Sequence, residues 1–229
     1  MKPPSKRLLA VEVPRGAYGL ATLAFSRSML ARGPRGDGRP VLLLPGLFNS
    51  DRSNVFLRRY LASLGYRAEG WGMGRNLGAR VIGTQGERLI ERVRQMRDAS
   101  GEPVTLIGVS LGGIMARFVA HRAPDLVREV ITISSPFAGT PRATNVWRAF
   151  EALTGERIDA PEVVARSAMI AQPMPVPTTA IWSRSDGLVN GMICHDDDAR
   201  SVEVRSSHLG VQVRPQVLLA VAEVLGGAV

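Results

Sequence analysis

One stretch constrains this chain more than any other: Val104-Thr-Leu-Ile-Gly108-Val-Ser110-Leu-Gly112-Gly113. The apolar run Val104 to Val109 has strand character and stops abruptly in Gly-x-Ser-x-Gly. Apolar residues then recur at helical spacing (Ile114, Met115, Phe118, Val119), and the pattern closes on His121-Arg122 just before Pro124. Strand, pentapeptide and helix in that order are the setting of a nucleophile elbow, a turn that holds a serine hydroxyl clear of a sheet. The glycines have a steric reason. The bend at Ser110 leaves no room for side chains two positions away, and Gly108 and Gly112 supply that room. Ser110 also lies at the N-terminus of the following helix, where free N–H groups and the positive dipole end favour a developing anion.

Serine is a weak nucleophile without a base, and the base needs an acid to hold its tautomer. The chain has 3 histidines. His121 falls late on the helix after the elbow and points away from the serine end. His195 sits in the polar run Cys-His-Asp-Asp-Asp and is held in reserve. His208, in Ser-Ser-His-Leu-Gly, follows the last strand and precedes the last helix, the place from which a base can reach back over the elbow. His208 is assigned as base. Asp186 is the preferred acid, because Ser-Arg-Ser-Asp186-Gly-Leu-Val follows an apolar strand. Asp196 to Asp198 read as a solvated cluster. The amide of Leu111 is one expected oxyanion donor, and that of Leu47, in Pro45-Gly46-Leu47-Phe48, is the other.

The rest of the chain sets the frame. Apolar strands are expected at Val41–Leu44, Val104–Val109, Val130–Ile133 and Pro177–Trp182, with short ones at Tyr66–Gly70 and Val202–Val204. Helical patterns are expected over 17–31, from Ser53 or Asn54 to Leu64, over 84–99, and over 215–225. Residues 1–7 read as disordered, and the Gly-rich stretch 71–80 as a loop at the site mouth. Strands alternating with helices specify an α/β fold: a reduced, mainly parallel sheet of about six strands with helices on both faces. The division is 1–39, a basic segment with a helix packing on the domain, and 40–229, the domain itself. A small helical cap insertion at about 135–172 interrupts the alternation. Phe48, Trp147, Phe150 and Met169 are the candidate substrate-binding residues.

Composition narrows the function classes. With 229 residues, 45% hydrophobic and 21% charged, one globular domain is expected. Net charge is +9, yet the arginines are dispersed and interleaved with acids, as in Glu87 to Arg97, which suits a solvated helix face. No nucleic-acid motif is present, and no nucleic-acid partner is expected. The basic N-terminal segment, with Lys2, Lys6, Arg7 and Arg15, supports at most weak contact with an anionic membrane surface. Cys194 is the lone cysteine and reads as an apolar filler. The histidines and cysteine lack metal-ligand spacing, so neither a metal nor another cofactor is expected. The apolar run 17–25 is flanked by Glu12 and Arg27 and lacks a cleavage site, so the expected location is cytoplasmic, with secretion as the alternative. The sequence sets no oligomeric state.

Taken together, Leu44-Pro-Gly-Leu-Phe48, Gly108-Val-Ser-Leu-Gly-Gly113, Ser134-Ser-Pro-Phe-Ala-Gly139, Ser183-Arg-Ser-Asp-Gly-Leu-Val189 and Ser207-His-Leu-Gly210 resemble the α/β-hydrolase superfamily, in its small bacterial lipase- and esterase-like branch. The similarity covers about Pro40 to Leu225. It implies Ser110 as nucleophile, Asp186 as acid, His208 as base and the Leu47 and Leu111 amides as the oxyanion hole, in the nucleophile–acid–base order of that superfamily. The implied activity is hydrolysis of carboxylic esters, or of lipid-like esters, through an acyl-enzyme. Acyl transfer or thioester cleavage by the same triad is the alternative, and a non-catalytic binding module of the same fold is the third. Two departures stand out. Pro45-Gly46 replaces the His-Gly of many lipases, and the antiparallel leading strands of larger members are missing before Val41.

Overall fold

The computed structural model describes residues 1–195 and 199–227; the aspartates 196–198 lie outside the described residues. The N-terminal part forms α1 (Lys6–Ala10), α2 (Glu12–Leu23) and α3 (Arg27–Leu30). The domain then runs β1 (Pro40–Leu44), α4 (Val55–Leu64), β2 (Arg67–Gly70), α5 (Ala79–Ile82), α6 (Glu87–Ser100), β3 (Val104–Val109), α7 (Leu111–Arg122) and β4 (Val127–Ile133). It continues with α8 (Trp147–Thr154), α9 (Pro161–Ile170), β5 (Thr178–Trp182), β6 (Arg200–Glu203) and α10 (Pro215–Leu225).

The six strands form one parallel sheet in the order β2-β1-β3-β4-β5-β6. Strand alternation sends Val41 and Leu43 to one face and Leu42 and Leu44 to the other. The first pair packs with Leu57 and Leu61 of α4 and Val217, Leu218 and Val221 of α10. The second packs with Leu89, Val93 and Met96 of α6 and Met115 and Val119 of α7. Burial on both faces explains why β1 and β3 read as unbroken apolar runs. The edge strands β2 and β6 are polar and half-exposed, as sheet edges should be. From β1 the chain goes first to β2 on one side and then to β3 on the other. The crevice beyond the carboxyl ends of β1 and β3 is therefore a topological switch point, where open α/β sheets place their sites.

The N-terminal segment departs from expectation. Residues 1–7 are held in place: Asn190 Nδ2 donates to Lys2 O at 2.9 Å, and Asn145 Nδ2 to Pro4 O at 3.2 Å. In place of one helix over 17–31 there are two, and α2 starts at Glu12. Pro14 occupies its first turn, where a missing N–H costs nothing. The helix stops where Ser26 Oγ bonds Thr22 O at 2.7 Å and Thr22 Oγ1 bonds Gly19 O at 2.8 Å, hydroxyls competing for the backbone acceptors. The expected loop 71–80 gives way to the short α5 at its end. Among the described residues no helix is long and apolar enough to cross a membrane.

Candidate active site

The elbow is as tight as its glycines imply. Ser110 has φ 52° and ψ −119°, outside the helical and extended basins. A Cβ on Gly108 would fall 2.3 Å from Gly112 C, and one on Gly112 would fall 2.3 Å from Leu44 O. Gly113 is equally obligatory, because its Cβ would meet Ser135 Oγ at 2.0 Å. Strain of this kind costs about 1–3 kcal/mol and persists only where surroundings impose it. Here Ser110 N–H donates to Ile133 O at 2.8 Å, pinning the bend to the end of β4.

Over this bend the structure brings three side chains together. His208 Nε2 lies 3.0 Å from Ser110 Oγ, and His208 Nδ1 lies 2.6 Å from Asp186 Oδ2. Asp186 is buried, and its other oxygen accepts from Leu188 N–H at 2.9 Å and Val189 N–H at 2.8 Å. The tautomer that donates from Nδ1 to this carboxylate leaves Nε2 as acceptor for the serine proton. Burial alone would lower the pKa of the imidazole. Asp186, by charge and by hydrogen bond, and Glu12, by charge, outweigh burial and raise it above the ordinary histidine value. The acid and base loops are also joined directly. Ser183 Oγ donates to Ser206 O at 2.9 Å and accepts from Ser206 N–H at 3.1 Å. His195, the reserve base, instead meets Trp182 edge-on, with ring centroids 5.1 Å apart. Cys194 is buried, and burial first, then Asp186, pushes its thiol well above its ordinary pKa. A neutral, enclosed thiol is no nucleophile.

The amides of Leu47 and Leu111 make no hydrogen bond to another described residue. Both residues border the same cavity as Ser110. Gly46 lets the first loop approach: a Cβ there would touch Ser110 Cβ and Val109 O, each at 3.4 Å. Buried Asn76 braces that loop. Its Nδ2 donates to Pro45 O at 2.7 Å, its carbonyl accepts from Phe48 N–H at 2.7 Å, and its own N–H donates to Asn49 O at 2.8 Å. The sequence reading missed Asn76, which stood in the unpatterned 71–80 stretch; a lone amide beside glycines was its only signal.

A cavity of about 140 Å³ opens beside Ser110. Trp147 and Phe150 of α8 line it, with Ile114 and Phe118 of α7, Ile82 of α5, and Val163, Arg166, Ser167 and Ile170 of α9. Two expected wall residues are elsewhere. The cavity stripe on α9 recurs at helical spacing from Val163 to Ile170, and Met169 falls beside it, behind the wall, packed against the cluster of Phe118, Phe137, Ile170 and Ala180. Phe48 has φ 62°, is 47% exposed and lies under the Arg75 guanidinium at 4.3 Å, outside the cavity wall. Its left-handed backbone turns the ring outward.

A family model of the alpha/beta hydrolase fold matches residues 86–190, which hold the elbow and the acid loop. The crystal structure of a monoacylglycerol lipase of Paleococcus ferrophilus superposes with a TM-score of 0.59 at 17% identity, over 84% of this chain and 97% of that one. The chain has the α/β-hydrolase fold. It is 33% identical over 149 residues to a triacylglycerol lipase of Burkholderia plantarii, covering 58% of this chain and 39% of the relative. It is 34% identical over 118 residues to a triacylglycerol lipase of Pseudarthrobacter phenanthrenivorans, covering 44% of this chain and 34% of the relative. The chain thus spans well under half the length of these two curated relatives. Its fold carries the six-stranded parallel sheet expected from the sequence.

Proposed function

We propose that this protein is a serine hydrolase of carboxylic esters. Ser110 attacks the ester carbonyl, His208 takes its proton and returns it to the leaving alcohol, and Asp186 orients and charge-stabilises the imidazolium. The Leu47 and Leu111 amides stabilise the oxyanion. Water, activated by the same histidine, then releases the acid from the acyl-enzyme. The observation that carries the reading is the continuous Asp186–His208–Ser110 hydrogen-bond chain, at 2.6 and 3.0 Å. The printed names of the relatives, both triacylglycerol lipases, support the same bond type. Ser110 is only half-buried, so water can reach an acyl group on it, which favours hydrolysis over acyl transfer.

The cavity argues for a small acyl or aryl group. It is mostly apolar, and at ≈140 Å³ it is close to the roughly 150 Å³ that encloses one benzene ring. Activity across p-nitrophenyl esters is expected to be higher for acetate and butyrate than for palmitate. Palmitate turned over faster than butyrate would overturn the size argument.

The same reading extends to a surface. Val13, Tyr18, Leu20 and Phe25 are exposed on and just after α2, within the basic segment that includes Lys2, Lys6, Arg7 and Arg27. Exposed apolar side chains among cations suit weak, salt-sensitive attachment to anionic lipid. Co-sedimentation with phosphatidylglycerol vesicles should exceed that with phosphatidylcholine and fade as salt rises. Equal sedimentation with both would reject it.

A further inference from the structure

Glu12 opens a helix in the most basic part of the chain, yet it is 1% exposed. Its two carboxylate oxygens reach different loops. Oε1 accepts from Gly187 N–H at 2.7 Å, and Oε2 accepts from Leu209 N–H at 2.9 Å. Gly187 follows Asp186, and Leu209 follows His208. One side chain therefore ties the residue after the acid to the residue after the base, across sequence separations of 175 and 197.

Its surroundings repeat the pattern on the residue before the acid and the residue before the base. Arg15 donates from Nη1 to Ser185 O at 2.6 Å and from Nη2 to Ser185 Oγ at 2.8 Å. Arg214 Nη2 donates to Arg15 O at 2.5 Å and to Ser207 Oγ at 3.3 Å. The packing leaves no slack. A Cβ on Gly187 would stand 2.5 Å from Leu8 O, and one on Gly16 would stand 2.9 Å from Leu209 O.

We propose that Glu12 is a positioning residue for the catalytic site, fixing the spacing of the acid and base loops so that His208 stays aligned between Asp186 and Ser110. The proposal rests on the hydrolase reading above. The physical need is plain. The two loops leave separate strands, β5 and β6, and the imidazole must satisfy a carboxylate on one side and a hydroxyl on the other. A misplacement of about 1 Å in such an array costs on the order of a hundredfold in rate. Both amides that Glu12 accepts from are adjacent to the reacting residues, so loss of either bond is felt there first. The simpler role, plain burial of two backbone donors, makes a different prediction. It would lower thermal stability and leave turnover alone.

Charge separates the two roles further. The titratable groups around the imidazole are Asp186 from the loop after β5, Glu12 and Arg15 from α2, and Arg214 just before α10, with the neutral thiol of Cys194 near Asp186. Glu12 is one of the groups that raise the His208 pKa. His208 must be neutral to act as base, so the acid limb of kcat/KM against pH follows that pKa.

The test compares wild type with Glu12→Gln, which keeps the shape but sets an amide N–H₂ against one of the two backbone donors. The expected result is a fall in kcat of about ten- to a hundredfold, the effect of losing one hydrogen bond to a charged group. KM should change little, and the acid limb should move to lower pH. Wild-type kcat with an unmoved acid limb, whatever the melting temperature, would overturn the proposal. If Glu12→Gln does not fold, Gly16→Ala decides instead. Its new methyl wedges α2 off the base loop while the Glu12 charge stays. A lowered kcat with the acid limb in place supports positioning, and wild-type kcat overturns it. Ser110→Ala is run beside both variants. Were it to hydrolyse esters near the wild-type rate, the Ser110-centred hydrolase reading itself would fall, an outcome distinct from a silent Glu12→Gln.

Discussion

Ser110→Ala is expected to lower ester hydrolysis by about 10⁵- to 10⁶-fold and to abolish covalent labelling by a fluorophosphonate. The change removes one oxygen and leaves the elbow as it is. Ser110 holds φ 52° because Gly108, Gly112 and Gly113 allow the turn and Ser110 N–H is anchored to Ile133 O, and none of these involves its hydroxyl. Alanine has the same Cβ and tolerates the same backbone about as well, so the folded protein and its melting temperature should be nearly unchanged. The lost activity is then chemical. His208 Nε2, 3.0 Å from the missing oxygen, has no proton to take, and no acyl-enzyme forms. A small residue of activity over uncatalysed hydrolysis is expected to survive, because the Leu47 and Leu111 amides and the cavity can still bind an ester. Two measurements check this: gel-based labelling of folded protein, and steady-state hydrolysis of p-nitrophenyl butyrate. Hydrolysis by the alanine variant near the wild-type rate would place the nucleophile elsewhere and sink the reading.

The convergence of Ser110, Asp186 and His208 has causes that are visible in the sequence. Each residue follows a strand, and parallel strands all point their carboxyl ends to one edge of the sheet. Tight turns carry strong local signals, so Gly108-x-Ser-x-Gly112 could be read from its own residues. The sheet was legible for a similar reason: β1 and β3 are buried on both faces and therefore continuously apolar. What escaped was long-range and polar. Glu12 looked like a charge flanking an apolar run, and nothing local says that its carboxylate meets amides 175 and 197 positions away. Asn76 shows the same problem at shorter range. Met169 was expected at the substrate, whereas the cavity stripe on α9 passes one helical position away, through Ile170. The helix expected over 17–31 in fact starts at Glu12, because a first helical turn accepts Pro14.

The second large effect is expected at Asp186, and the neighbouring amides dictate how it arises. In Asp186→Asn the side-chain carbonyl oxygen will stay with Leu188 N–H and Val189 N–H, since an N–H₂ group there would leave two buried donors facing donors. The amide nitrogen must then face His208 Nδ1. A donor at that position makes Nδ1 the acceptor and moves the ring proton to Nε2, pointing at Ser110. The imidazole is left in the tautomer that cannot take the serine proton. A drop in kcat of about 10⁴-fold is expected, the magnitude that an acid-to-amide change produces in a Ser-His-Asp protease. The pH dependence should change as well. In the wild type Asp186 and Glu12 hold the His208 pKa above its ordinary value against the opposing pull of burial, so activity is lost as pH falls through that raised pKa. With the Asp186 charge gone, burial has less opposing it, the pKa falls, and the acid limb of the residual activity should move to lower pH. Replacing Glu12 by Gln moves that limb the same way but leaves the tautomer intact, so its loss in kcat should be far smaller. A pH-rate profile of both variants against wild type separates these cases, and an acid limb for Asp186→Asn at or above the wild-type position would contradict the electrostatic account.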